Sequence, residues 1–452
     1  MKHTLAAFLF AVTACIVVRG ATISISKDVR FTVGSPQSLF AEPSAIPEMV
    51  ASTRDGGRLI AALVYSNNLQ TGKLLLRRLD ADGETVFTRD IGEANSTHLL
   101  NFIIETSTGE VVAGEQIRRG TGAPAVARLV KLGQAGEVLR DVSFGVLNFS
   151  RIVLDGEGFI IVGSGYQAIS LLRLANDFTV QWQTNIPSSV YVYVAGGLGL
   201  TDLKRTPDGG LLYAVQYNDI PTWQTVKSRL DGGIEWKVSF PGPQISGANE
   251  RLVGVYPLRK GGHILLYSST IPPGALNPSP GWGGEDYRII RVNTNGQPVW
   301  YRYYGGIESD EPRFLTETED DGFIVGGYSR SVNISGNKGV AGVGTWCLKL
   351  DSLGLKEAEF ILPGEYVSLL PKATGYSLVG GQPPGYTNFT TIDLNALRRV
   401  SITARAEDSR PFNMDVSTNL VDWMPFVIDF TGDLNLLESY TGERKFYRVR
   451  DQ

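Results

Sequence analysis

Apolar and polar residues alternate in short runs along most of the chain, and each run ends at a turn. The segments 74–87 (LLLRRLDADGETVF), 226–236 (VKSRLDGGIEW), 287–300 (YRIIRVNTNGQPVW) and 346–360 (WCLKLDSLGLKEAEF) share one layout. An alternating strand reaches Asp or Asn, turns at Gly, and restarts on an apolar or aromatic residue, the pattern of a β-hairpin with a side-chain-capped turn. No long stretch carries the 3.6-residue apolar rhythm of a helix. A second signature precedes each of these by about twenty residues and is centred on Gly57 (STRDGGRLI), Gly109, Gly158, Gly210 (PDGGLLY), Gly262, Gly322 (EDDGFIVGG) and Gly375. Successive anchors lie 52, 49, 52, 52, 60 and 53 residues apart. That period is one four-stranded propeller blade, so the sequence predicts an all-β, seven-bladed β-propeller.

With the strands of a blade labelled A to D outward from the axis, the DGG turn joins A to B and the DxxG turn joins C to D. Both tight turns then share one face, and the opposite face carries the longer B–C and D–A connections: 216–224, 268–285 and 329–344 between B and C, and 183–201, 241–249 and 305–310 between D and A. Function on a rigid scaffold tends to sit on such loops. The seventh unit loses its DxxG turn, and the strand-like stretch Thr22 to Val33 is expected to supply its outer strand and close the ring. The predicted organisation is an export signal over 1–20, a propeller over 21–398 and a small C-terminal β module over 399–452.

Composition adds compartment and partner class. An apolar run from Leu5 to Val18 follows Lys2 and precedes Gly20 and Ala21, as in a cleaved export signal. The competing reading is a lipid-anchored protein processed at Cys15. The run is too short for a spanning helix. Removing Lys2 and Arg19 takes the 42 basic side chains to 40 against 46 acidic ones, a net of −6, which argues against nucleic acid as a partner. Only Cys347 then remains, expected as a buried free thiol, and no intrachain disulfide can form.

The stretch from Asp286 to Ser329 (DYRIIRVNTNGQPVWYRYYGGIESDEPRFLTETEDDGFIVGGYS) resembles the repeats of large secreted bacterial propellers, with their KLDxxG, late Trp, GG, DE and DGG elements, and is kelch-like in its double glycines. The segments FNMDVSTNLVDWMPF (412–426) and RKFYRVR (444–450) are similar to a short C-terminal module of secreted bacterial proteins. These resemblances imply export and surface or extracellular residence, and they carry no catalytic residue with them.

Candidate chemistry is sparse. Two histidines of the mature chain, His98 and His263, and one cysteine leave too little for a zinc or copper site, so no metal and no cofactor are expected. The acidic turn Glu319-Asp320-Asp321 lacks the alternating oxygen ligands of a calcium loop. Glu250 and Asp310 each precede their anchor glycine by twelve residues, beside the central funnel. With Glu311 and Glu365 they form the candidate acid/base set for glycosidic bonds, against the plainer reading that they cap a repeated loop. Tyr217, Trp223, Trp282 and Tyr386 fall in the predicted long loops as candidate ligand-binding aromatics. The favoured expectation is a monomeric, exported binding or scaffold propeller for a polysaccharide or surface protein. Its alternative is a polysaccharide-active hydrolase or lyase working at the funnel.

Overall fold

The computed structural model describes residues 14–406 apart from 19–20, 34–36, 42–44, 66–71, 94–95, 120–124, 146–147, 165–167, 188–199, 218–219, 241–248, 271–282, 372–374 and 382–387, together with 412–417, 424–430, 433–439 and 446–451. Every regular element among them is a strand. Six antiparallel four-stranded sheets follow one another, over 45–90, 96–144, 148–187, 200–239, 249–304 and 310–362, each with its strands in chain order. The first strand of each sheet touches the first strand of the next, so these strands line a common axis. This is a β-propeller.

The expectation of seven four-stranded blades is corrected to six. The remaining sheet has seven strands. It is built on Glu365–Pro371, Tyr376–Gly381 and the long strand Asn388–Ala406. Its inner strand touches those of the sixth and first blades. Leu378, Tyr366 and Leu394 pack against Phe314, Ile324 and Cys347 on one side, and Val379 packs against Ile60, Ala62 and Leu79 on the other. The reason for the difference is the missing turn after Leu394. With no hairpin to reverse it, the strand runs on to Ala406 and collects partners from both ends of the chain. Ala21–Val33 does pair there, but along 394–406, while Gln37–Ala41 takes the place opposite Asn388 to Thr391. Asp433–Ser439 pairs with 399–405. The segments 412–417, 424–430 and 446–451 form a separate three-stranded sheet.

Within a blade the second and third strands are covered on both faces, as in Phe323–Ser329 and Gly344–Leu350 of the sixth. Their sequences accordingly run apolar without strict alternation, whereas the outer strand Val138–Phe144 is largely exposed. Cys347 is fully buried in this layer and unpaired.

The DGG turn needs its two glycines for different reasons. Gly56 and Gly209 take positive φ (85° and 87°), open to glycine without steric cost. Gly57, Gly210 and Gly322 instead lie against third-strand carbonyls, where a Cβ would come within 2.1 Å of Leu79 O, 2.7 Å of Ser228 O and 2.3 Å of Leu350 O. In the sixth blade Asp321 takes the first role, with φ 60°. Beside the same turn, the basic residue of the third strand clamps a nearby acid in five of the six blades. Arg78 reaches Asp55 (3.1 Å), Lys131 reaches Glu110 (2.7 Å), Arg173 reaches Asp155 (2.8 Å), Lys227 reaches Asp208, and Lys349 reaches both Asp320 and Glu357 (3.2 Å each).

The DxxG turn locks neighbouring blades. Gly296 of the fifth blade sits on the Trp236 ring of the fourth, and Gly354 of the sixth on the Trp300 ring of the fifth, each so close that a Cβ would meet the indole at about 3 Å. The late Trp of one unit is thus the seat for the turn glycine of the next.

Lys349 is buried, and the side chains of its two carboxylate partners, Asp320 and Glu357, are only 11% and 8% exposed. Lys349→Met should therefore cost about 3 kcal/mol by stranding two acids. Urea unfolding should show a lower midpoint with unchanged slope, and a wild-type midpoint would remove the clamp from the account.

Candidate functional site

On the loop face the best-defined structure is the B–C connection of the sixth blade, 330–343, which has almost no regular structure yet is pinned along its length. Gly342 N donates to Val332 O (2.7 Å), and Arg330 N donates to Ser309 O (2.8 Å). Asn337 bridges to the preceding D–A loop, accepting from Gly305 N (3.0 Å) and donating to Tyr303 O (2.8 Å). Ser335 and Ser331 hydroxyls accept from Ile307 N and Glu308 N (3.0 Å each). Lys338 turns inward, only 1% exposed, and its ammonium donates to Ser331 O and Gly342 O. Burial lowers its pKa below the usual lysine range. The result is a firm platform whose outward residues include three large apolar side chains, Ile307, Val332 and Ile334 (55%, 51% and 66% exposed), beside Glu308, Arg330 and Asn333.

Beneath it, Asp310 is fully buried at the start of the innermost strand. Its Oδ2 accepts from Gly306 N (2.6 Å) and from the Ser331 hydroxyl (2.9 Å). The double glycine before it follows from crowding, since a Cβ on Gly306 would meet Ser331 Oγ at 2.5 Å and one on Gly305 would overlap Asp286. The GG and DE elements of the repeat are therefore one loop-fixing unit.

Glu250 occupies the equivalent start of the fifth innermost strand but has different partners. It accepts from the Ser269 hydroxyl (3.1 Å) and is ion-paired with Arg288, whose guanidinium lies over Tyr267 and Tyr301. Burial pushes the Glu250 carboxyl above the usual range, against the pull of Arg288. Glu311 and Glu365 are brought together on a single cation: Arg313 Nη2 lies 3.0 Å from each.

The predicted aromatic rim is not placed as one surface. The second and third strands of the fourth blade extend to Tyr217 and from Ile220, so the connection there is two residues long rather than the loop 216–224. Trp223 lies inside the third strand, 8% exposed, in a core with Leu252, Tyr267 and Ile290. It offers no open face to a ligand. The backbone of Tyr217 is a strand end, its side chain lies outside the described residues, and so do Trp282 and Tyr386.

Neither histidine stands near metal-binding company among the described residues. His98 is buried against Glu115 (2.7 Å), which in turn meets Arg128 (2.8 Å) and through it Asp141. Burial opposes the imidazolium, but the hydrogen bond and charge of Glu115 prevail and raise the His98 pKa. His263 stacks on Trp236 at 5.1 Å, and burial with the nearby Lys227 charge depresses its pKa to about 4. The relay from His98 to Asp141 escaped the sequence reading, because its four members come from four strands and share no local motif.

No family model matches the chain, and no curated protein matches it. Among solved structures it is similar to the AfRom2 CNH domain (TM-score 0.44, 10% identity, 79% of this chain and 98% of that one). It is also similar to a puromycin hydrolase (TM-score 0.47, 12% identity, 78% of this chain and 51% of that one) and to prolyl oligopeptidase B from Galerina marginata (TM-score 0.43, 12% identity, 82% and 57%). Such distant likenesses carry no argument about activity. The class the sheets define is a β-propeller, compatible with a binding or scaffold role.

Trp223→Ala should lower stability by about 3 kcal/mol, as for other buried tryptophans, and an unchanged melting temperature would contradict the core placement. For His263 the folded state disfavours protonation, so its contribution is complete above the unfolded pKa of about 6.5 and is lost as pH falls from there toward 4. The loss should reach about 3 kcal/mol near pH 4. His263→Phe should flatten this part of the pH–stability curve, measured by chemical denaturation between pH 4 and 7.

Proposed function

We propose that the protein is an exported, non-catalytic propeller that presents a binding face to a polysaccharide or a surface protein. The observation that carries this reading is the state of the funnel carboxylates. Asp310 is fully buried with its Oδ2 held in fixing a loop, Glu250 is ion-paired with Arg288, and Glu311 and Glu365 share Arg313. A glycosidic acid/base pair needs two carboxylates facing the bond between them. The pinned platform of the sixth blade, by contrast, holds exposed apolar side chains on a surface with little entropy left to lose on binding. Export rests on the leader-like segment 1–20, and among the described residues no helix is long and apolar enough to cross a membrane.

One observation favours the alternative of a polysaccharide-active hydrolase or lyase: the raised pKa of Glu250 suits a general acid. The readings separate experimentally. A glycan array and a panel of surface proteins would identify a ligand for the mature chain. Ile307→Ser with Ile334→Ser should then weaken binding by about 1–3 kcal/mol with little change in melting temperature. Release of reducing sugar by the wild type, abolished in Glu250→Gln, would overturn the non-catalytic reading.

A further inference from the structure

The axis-lining strands of the third, fourth and fifth blades each contribute an exposed cation: Arg151, Lys204 and Arg251, with side chains 42%, 45% and 52% exposed. Among the described residues the carboxylates in ion-pair reach of these three cations are Asp202 and Glu285. Arg151 and Lys204 converge on one oxygen, Asp202 Oδ1, at 4.0 and 3.3 Å. That oxygen also accepts from Leu203 N, while Oδ2 accepts from Val255 N on the next blade. Asp202 is thus largely consumed in joining the inner strands. Arg251 has Glu285 at 3.8 Å, and Glu285 is shared with the Ser268 hydroxyl. Next to Arg151, whose Nη1 reaches Asn101 O (3.4 Å), the side-chain Nδ2 of Asn101 is buried with no hydrogen-bond partner. On the sixth blade and the closing sheet the charges balance instead: Glu311 and Glu365 meet on Arg313, and Glu311 also faces Arg330 at 3.6 Å.

We propose that this basic wall binds a carboxylated polysaccharide, such as a chain of uronic acid residues. This inference rests on the binding reading above and specifies its ligand. One cation per blade on adjacent strands matches a ligand that repeats its negative charge along its length, and a guanidinium receives a carboxylate through paired N–H donors. Clustered cations raise the local potential of a surface even where, as here, the whole chain carries a net charge of −4.

The test is titration calorimetry of the mature chain with hexagalacturonate, with maltohexaose as the uncharged control and poly-glutamate as the non-sugar polyanion. Hexagalacturonate should bind in preference to both, and more weakly as salt is added. The combined variant Arg151→Gln, Lys204→Gln, Arg251→Gln should lose at least tenfold in affinity. Should that variant unfold, Arg251→Gln alone, at the most exposed of the three positions, should still lose severalfold. Equal binding by wild type and a folded variant, or preference for poly-glutamate, would overturn the proposal. Binding of maltohexaose or of a protein ligand with none of hexagalacturonate would overturn it while leaving the binding reading intact.

Discussion

A glycine without room for a side chain, seated on the carbonyl of a strand two places outward, sets the geometry of the turn face. Gly57, Gly210 and Gly322 bring the first hairpin of their blades so near the third strand that any Cβ would strike Leu79 O, Ser228 O or Leu350 O. The close approach puts the turn carboxylate beside the third-strand cation, which then has a partner whose desolvation is already settled by the fold. From this end the blade is fixed, and its second turn can be presented to its neighbour. At the second turn the contact is between blades, with Gly296 seated on Trp236 and Gly354 on Trp300.

Much of this was legible because it is local. A strand, an Asp or Asn, a Gly and a restart within fourteen residues specify a hairpin, and repetition every fifty residues or so specifies a ring. The weak repeats have physical substitutes. In the third blade Phe178 occupies the turn position elsewhere given to glycine, with φ 68°, and its ring packs on Phe159. Asp321 likewise stands in at a DGG turn. Neither substitution disturbs the hairpin, but Phe178 erases the letters that announce it, whereas Gly322 still marks the turn at Asp321. The lysine or arginine of the KLD element reads as a polar strand residue in the sequence, and only pairing shows it to be the clamp.

The site was less legible, since it depends on which residues from distant strands converge. Asp310 and Glu250 were correctly located at equivalent strand starts, but nothing local distinguishes a carboxylate fixed by Gly306 and Ser331 from one held by Arg288. Trp223 looked like a loop residue because Pro221 and Thr222 precede it, whereas strand pairing continues through Ile220 to Ser228. Proline at a strand's first positions is compatible with pairing, so the composition misled about length rather than type.

The closing sheet has a consequence for how the molecule is made. Ala21 meets Ala406, and Leu394 meets both Val33 and Tyr376, so one strand near the end of the chain joins partners synthesised at the start and immediately before it. Until that strand emerges, the first six blades are an open arc whose terminal faces, around Ile60 and Ala62 on one side and Phe314 and Ile324 on the other, lack their cover. Closing a loop of that length is entropically slow and must await the synthesis of Asn388–Ala406. If the chain is exported, as proposed above, the ring cannot close before that strand has itself been made.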